Sequence, residues 1–186
     1  MKMSYKKSPL VGIVMGSSSD ARIMVKVAEI LDEFSIKHED QIVSAHRTPT
    51  KLEEYAKHAK QSKFRVIIAG AGGAAHLPGM IASYADMPVI GVPILVYNDK
   101  QGKDHKFSAF GGIDSLVSIS EMPTGSPVAC VGINKATNAG LYAVKILANE
   151  FSDIATKLVK FKVNRRDAVL EESKKMRKQG LRKFSN

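Results

Sequence analysis

Tryptophan is absent from this 186-residue chain, other aromatic residues are few, and there is a single cysteine. One cysteine excludes an internal disulfide, and with it the small stapled folds. Cys130 stands in the apolar run 128–131, where a small buried hydrophobe is a better account of it than a nucleophile. No apolar run is long enough to cross a bilayer. Residues 1–10 are basic but lack the apolar block of a secretory signal. The expectation is a cytoplasmic protein that does not engage a membrane. The five histidines (His38, His46, His58, His76 and His105) show no paired helical spacing, so no metal site is expected. No Gly-x-Ser-x-Gly elbow offers a serine nucleophile.

What the chain does have is charge and a patterned apolar fraction. The net charge is +10. Between residues 157 and 186, eleven Lys or Arg stand against Asp167, Glu171 and Glu172, so +8 of the excess lies in that tail. Aromatic stacking partners are sparse there, which favours a solvated helix or an oligomer contact over a nucleic-acid arm. The apolar content of 44% suffices for one core. A single domain over 1–186 is expected, with a core at about 10–150 and a basic helix at about 151–178.

Short apolar runs alternate with helical patterns. Strands are expected at 11–15, 41–43, 65–69, 88–92 and 128–133. Helices are expected at 20–34, 50–59, 74–85 (broken or bent at Pro78 and Gly79) and 136–148. This alternation predicts an α/β fold, a five-stranded parallel sheet in order 2-1-3-4-5 covered by helices on both faces. Ligands of such sheets bind beyond the carboxyl ends of the strands. Residues 95–107 break the rhythm. They are polar, and read equally well as a surface insertion or as a flap over a site.

Three strand ends carry chemistry. The first is followed by Gly16-Ser-Ser-Ser-Asp20, where hydroxyls and helix amides suit phosphate or ribose; ordinary helix capping explains the motif as well. The second is followed by Ser44-Ala-His-Arg-Thr-Pro49. Arg47 offers a planar fork for phosphate, and His46 is able to carry a proton near neutral pH. The third opens into Ala69-Gly-Ala-Gly-Gly-Ala-Ala-His-Leu-Pro-Gly79, whose small residues let a ligand approach the backbone. This is neither a dinucleotide fingerprint nor a P-loop. Local reading ends at a small α/β enzyme or binding protein for a phosphorylated metabolite.

Taken together, these motifs resemble the PurE family. So do Gly91-Val-Pro93, Asp114-Ser-Leu116, Met122-Pro123 and Asn138-Ala139, in family order over about residues 10–150. The resemblance implies a flavodoxin-like three-layer sandwich with an extra C-terminal helix, assembled as a homo-octamer. It implies conversion of N5-carboxyaminoimidazole ribonucleotide to 4-carboxy-5-aminoimidazole ribonucleotide in purine synthesis, with no cofactor and no metal. His46 matches the family's catalytic histidine. Ser17, Asp20, Ser44 and Arg47 match its substrate-binding residues, and Gly72, Gly73, Ala74 and His76 match the loop that closes over the base. Arg47 and the loop sequence look like the mutase branch rather than the branch that carboxylates aminoimidazole ribonucleotide directly with carbon dioxide. Segment 95–107 is longer than the family pattern, and Glu121 stands where Gln is usual. The rival readings are that direct carboxylase, a non-catalytic nucleotide-binding homologue, and a nucleic-acid binder acting through the basic tail.

Overall fold

The computed structural model describes residues 8–98, 105–106 and 110–184, the side chains of 97, 98, 105 and 106 excepted. The strands, in chain order, are β1 (Val11–Met15), β2 (His38–Ile42), β3 (Val66–Gly72), β4 (Val89–Ile94), β5 (Tyr97–Asn98), β6 (His105–Lys106) and β7 (Ala129–Cys130). The helices are α1 (Ala21–Glu33), α2 (Pro49–Gln61), α3 (Leu77–Tyr84), α4 (Ile113–Ser120), α5 (Ala136–Ala148), α6 (Ser152–Gln179) and α7 (Leu181–Phe184). A single 3-10 turn, Ser18–Asp20, leads into α1. The chain divides into two compact units at Ile146 and Leu147.

In the first unit a five-stranded sheet runs in the order β2-β1-β3-β4-β7, all pairs parallel. This is the expected 2-1-3-4-5 order. Strand side chains alternate between two helical layers, because successive residues of a pleated strand face opposite ways. On one face Val14, Ile67, Ala69 and Val89 join Leu52, Tyr55, Ile81 and Ile119 from α2, α3 and α4 in one apolar cluster. The other face receives α1, whose buried Met24, Val27, Ile30 and Leu31 follow helical spacing. Glycines set how close the layers come. A Cβ on Gly70 would meet Met24 and Ile94, and one on Gly140 of α5 would meet Ile30 at 3.1 Å.

Several boundaries differ from the sequence expectation. β2 starts at His38 rather than 41 and opens with four polar residues before Ile42, as an edge strand with one neighbour and no fully buried residue allows. β3 and β4 run to Gly72 and Ile94, past 69 and 92. β7 is two residues long where 128–133 was expected. Val131 N and Asn134 N still donate to Gly91 O and Pro93 O, but Gly132 and the left-handed Asn134 turn the chain away from a ladder. α3 begins at Leu77 and is not broken; Pro78 lies in its first turn, where its missing N–H costs nothing. α4 was not anticipated. Within 95–107, the expected loop has a hairpin at its base, Tyr97 opposite Lys106 and Asn98 opposite His105. Residues 99–104 and 107 of that segment, read equally as a surface insertion or a flap, lie outside the described residues.

The second unit holds α6, an exposed 28-residue helix with Ile154 and Leu158 as its buried residues. Gly180, at φ +77°, stops it. No helix among the described residues is long and apolar enough to cross a membrane.

Candidate active site

Three loops meet at the carboxyl edge of the sheet. After β1 the chain is tied down by Gly16 N donating to Gly70 O, 3.3 Å. Ser17 then caps the turn. Its hydroxyl accepts from Ser19 N at 3.2 Å, and its own N–H donates to Asp20 Oδ2 at 3.0 Å. This reciprocal capping box pulls the Asp20 carboxyl inward, leaving it 6% exposed. Burial pushes its pKa up. Hydrogen bonds from Ser17, Ser19 and Gly16, and the charge of Arg47, pull the other way.

After β2, Ser44 and Thr48 close a tight turn. Ser44 N donates to Thr48 Oγ1, and Thr48 Oγ1 donates to Ser44 O, each at 3.0 Å. Pro49 follows in the first turn of α2. Arg47 is fixed through its own base: its backbone N and its Nε donate to Ser44 Oγ at 3.2 and 3.1 Å. One terminal nitrogen also donates to Gly16 O at 3.2 Å, linking the β1 and β2 loops. Lys51, one helical turn on, donates from Nζ to Ile42 O at 2.9 Å.

After β3 the chain needs glycine at two places. A Cβ on Gly72 would strike Val96 and lie 2.8 Å from Ile94 O, and Gly73 turns at φ +63°. The loop ends at His76, just before α3. Its Nδ1 lies 2.7 Å from Nε2 of His46, with the ring centroids 4.9 Å apart and the planes at 81°.

Together the loops enclose a cleft of about 340 Å³, the size of a small-ligand site. Ser17, Asp20, Ser44, His46, Arg47, Gly72, Ala74 and His76, all singled out in the sequence, line it. Gly73 shapes the loop without lining the cleft. An adjoining recess of about 420 Å³ is lined by Ser18, Thr48 and Lys51 as well as Arg47. Sequence reading gave Thr48, Lys51 and Val96 no role. Thr48 lay inside a quoted motif, and Lys51 stands four residues after Arg47, so both carried a signal. Val96 carried none. The arrangement offers a cation and hydroxyls for an anion, a carboxylate for sugar hydroxyls, and imidazole for a proton, beside the buried apolar side chain of Leu77.

The chain matches the AIR carboxylase family over residues 10–168. It is 49% identical over 178 residues to the N5-carboxyaminoimidazole ribonucleotide mutase of Thermotoga maritima, covering 96% of this chain and 98% of that one. Its identity to the mutase of Pyrococcus horikoshii is 47% over 185 residues, 99% of this chain and 98% of the other. The crystal structure of Treponema denticola PurE superposes with a TM-score of 0.77 at 27% identity, covering 90% of this chain and 98% of that one.

Proposed function

The chain belongs to the AIR carboxylase family, and from that premise we propose that His46 carries the proton in an N5-carboxyaminoimidazole ribonucleotide mutase reaction. The reaction moves a carboxylate from an exocyclic nitrogen to ring carbon 4. Nitrogen must gain a proton as its bond to carbon dioxide breaks. Carbon 4 then attacks the carbon dioxide, and must lose its hydrogen to restore aromaticity. One group that first gives a proton and then takes one back balances the cycle, and an imidazole suits both steps.

The observation that carries this reading is the convergence of the three loops on one cleft, with His46 and Arg47 adjacent on a single turn. Arg47 and the serine hydroxyls of Ser17 and Ser44 suit a phosphate. Asp20 suits the ribose hydroxyls. Gly72, Gly73 and Ala74 leave room for the base against the backbone, and the buried Leu77 helps keep released carbon dioxide from water. A homo-octamer in the cytoplasm, with no cofactor, completes the proposal.

The test is conversion of N5-carboxyaminoimidazole ribonucleotide, followed by ultraviolet absorbance, in native protein and His46→Asn. Turnover in the native protein, falling by about 10² to 10⁴ in the variant, is expected. Near-native turnover in the variant would remove His46 from its role. Product formed from aminoimidazole ribonucleotide only with bicarbonate, and none from the N5-carboxy substrate, would instead establish direct carboxylation.

A further inference from the structure

The bond between the two cleft histidines restricts where their protons sit. Two ring nitrogens 2.7 Å apart share one proton, so one ring donates and the other accepts. Among the described residues, the outer nitrogens, Nδ1 of His46 and Nε2 of His76, have no hydrogen-bond partner. His76 immediately precedes α3, and its carbonyl accepts from Met80 N in the first turn. The other charged groups lining the cleft are Asp20 and Arg47. An imidazolium has no lone pair to accept with, so whenever His46 carries the extra proton its Nε2–H donates and Nδ1 of a neutral His76 accepts.

We propose that His76 is a positioning residue: by accepting Nε2–H it fixes the His46 ring and leaves Nδ1 as the atom that takes and returns the proton. This rests on the reading of His46 as proton carrier. The balance is simple. Nδ1 takes the hydrogen of ring carbon 4, and His46 becomes an imidazolium. Its bond to His76 becomes charge-assisted and shortens. Nδ1 then delivers the proton to the exocyclic nitrogen of the next substrate molecule. His76 exchanges no proton, and acts on His46 as the orienting third group of a catalytic triad acts on its base.

The experiment is nitrogen-15 NMR of the histidines in the full chain, with His46→Asn to assign the signals, compared across native protein, His76→Leu and His76→Asn. In its neutral form, native His46 is expected with its proton on Nε2 and a bare Nδ1. Leucine should give a mixture of tautomers. Asparagine, whose carbonyl oxygen sits where Nδ1 sat, should restore the native pattern. In turnover, leucine should lower kcat about tenfold or more with little change in KM, and asparagine should recover most of that loss. A neutral native His46 with its one proton on Nδ1, or a neutral tautomer unchanged by leucine, overturns the proposal. So does a raised KM at unchanged kcat, which is the mark of a residue that only binds substrate. If the native protein shows no mutase turnover, the spectra still decide the histidine pair, and only the reaction assignment fails.

Discussion

β3 lies between β1 and β4, whereas β2 lies at the edge of the sheet, with β1 as its one neighbour among the described residues. β3 is buried from Val66 to Ala71, while no residue of β2 is fully buried. Both end at the cleft. The central strand is enclosed by helices on both faces, so its carboxyl end is confined to glycine and alanine and delivers mainly backbone. The edge strand keeps one side open. It tolerates charged residues along its length, and the turn after it delivers long side chains, His46 and Arg47. The division is physical: shape comes from where packing is tightest, and charge from where water remains within reach.

Four substitutions sharpen or break this contrast. Arg47→Ala acts on the edge-derived side chains and should have the largest effect. Loss of charge-assisted bonds of about 1.5–3 kcal/mol should raise KM for the ribonucleotide roughly tenfold to a hundredfold while sparing kcat. An unchanged KM would remove Arg47 from phosphate binding.

Gly70→Val acts on the centre. The new side chain has no room beside Met24 and lies 3.0 Å from Ile94 Cδ1 at its Cβ. Overpacking of this kind costs about 1–3 kcal/mol, which urea denaturation will read. Native stability in that variant would refute the claim that packing dictates composition at the centre.

The third returns to the edge and concerns pH. Burial works against ionisation of Glu39, but hydrogen bonds from His58 and Gln41 outweigh it and hold the carboxyl below its ordinary range. A carboxyl lowered on folding contributes stability above its unfolded value, about 4.3, and loses it as pH falls through the folded value. Glu39→Gln should abolish that contribution. The stability gap between native and variant, at most about 1 kcal/mol for so accessible a group, should close on acidification. A gap independent of pH would contradict the account.

The smallest effect is expected at Tyr55, which packs against Gly12 of β1. Among the described residues its hydroxyl is buried without a hydrogen-bond partner, and burial, with the charges of Glu39 and Asp40, pushes its pKa well up. Tyr55→Phe should therefore be neutral or slightly stabilising, by up to about 1 kcal/mol in thermal or urea unfolding. A clear loss of stability would show that the hydroxyl contributes to holding β1.

The same contrast explains what was legible in the sequence. β1 and β3 are continuous apolar runs, and were located from that signal. β2 was misplaced because His38, Glu39, Asp40 and Gln41 hold an edge position through backbone pairing, which hydropathy does not register. α4 was missed because its start depends on Gly112 at φ +87°, under Ile133, a contact from far along the chain. The cleft was more legible than the boundaries. Its residues lie on strand ends in short motifs, and a parallel sheet brings such ends together whatever the details of the helices between them. Lys51 was passed over although it stands one helical turn after Arg47, whereas Val96 escaped because it reaches the cleft through tertiary packing against Gly72.

The unequal strand lengths have a practical consequence. Ala71 and Gly72 pair with Pro93 and Ile94 of β4, but β1 stops at Met15, opposite Gly70, so no β1 residue pairs with them on the other side. Both residues line the cleft. An inhibitor that bonded to that stretch of main chain would depend on peptide groups, which a change of side chain does not delete. Proline is the exception, since it removes an N–H, and it is poorly tolerated in the interior of a sheet. Resistance by point mutation would then have to arise among the side chains of the β1 and β2 loops, where the cost falls on Asp20, His46 and Arg47 themselves.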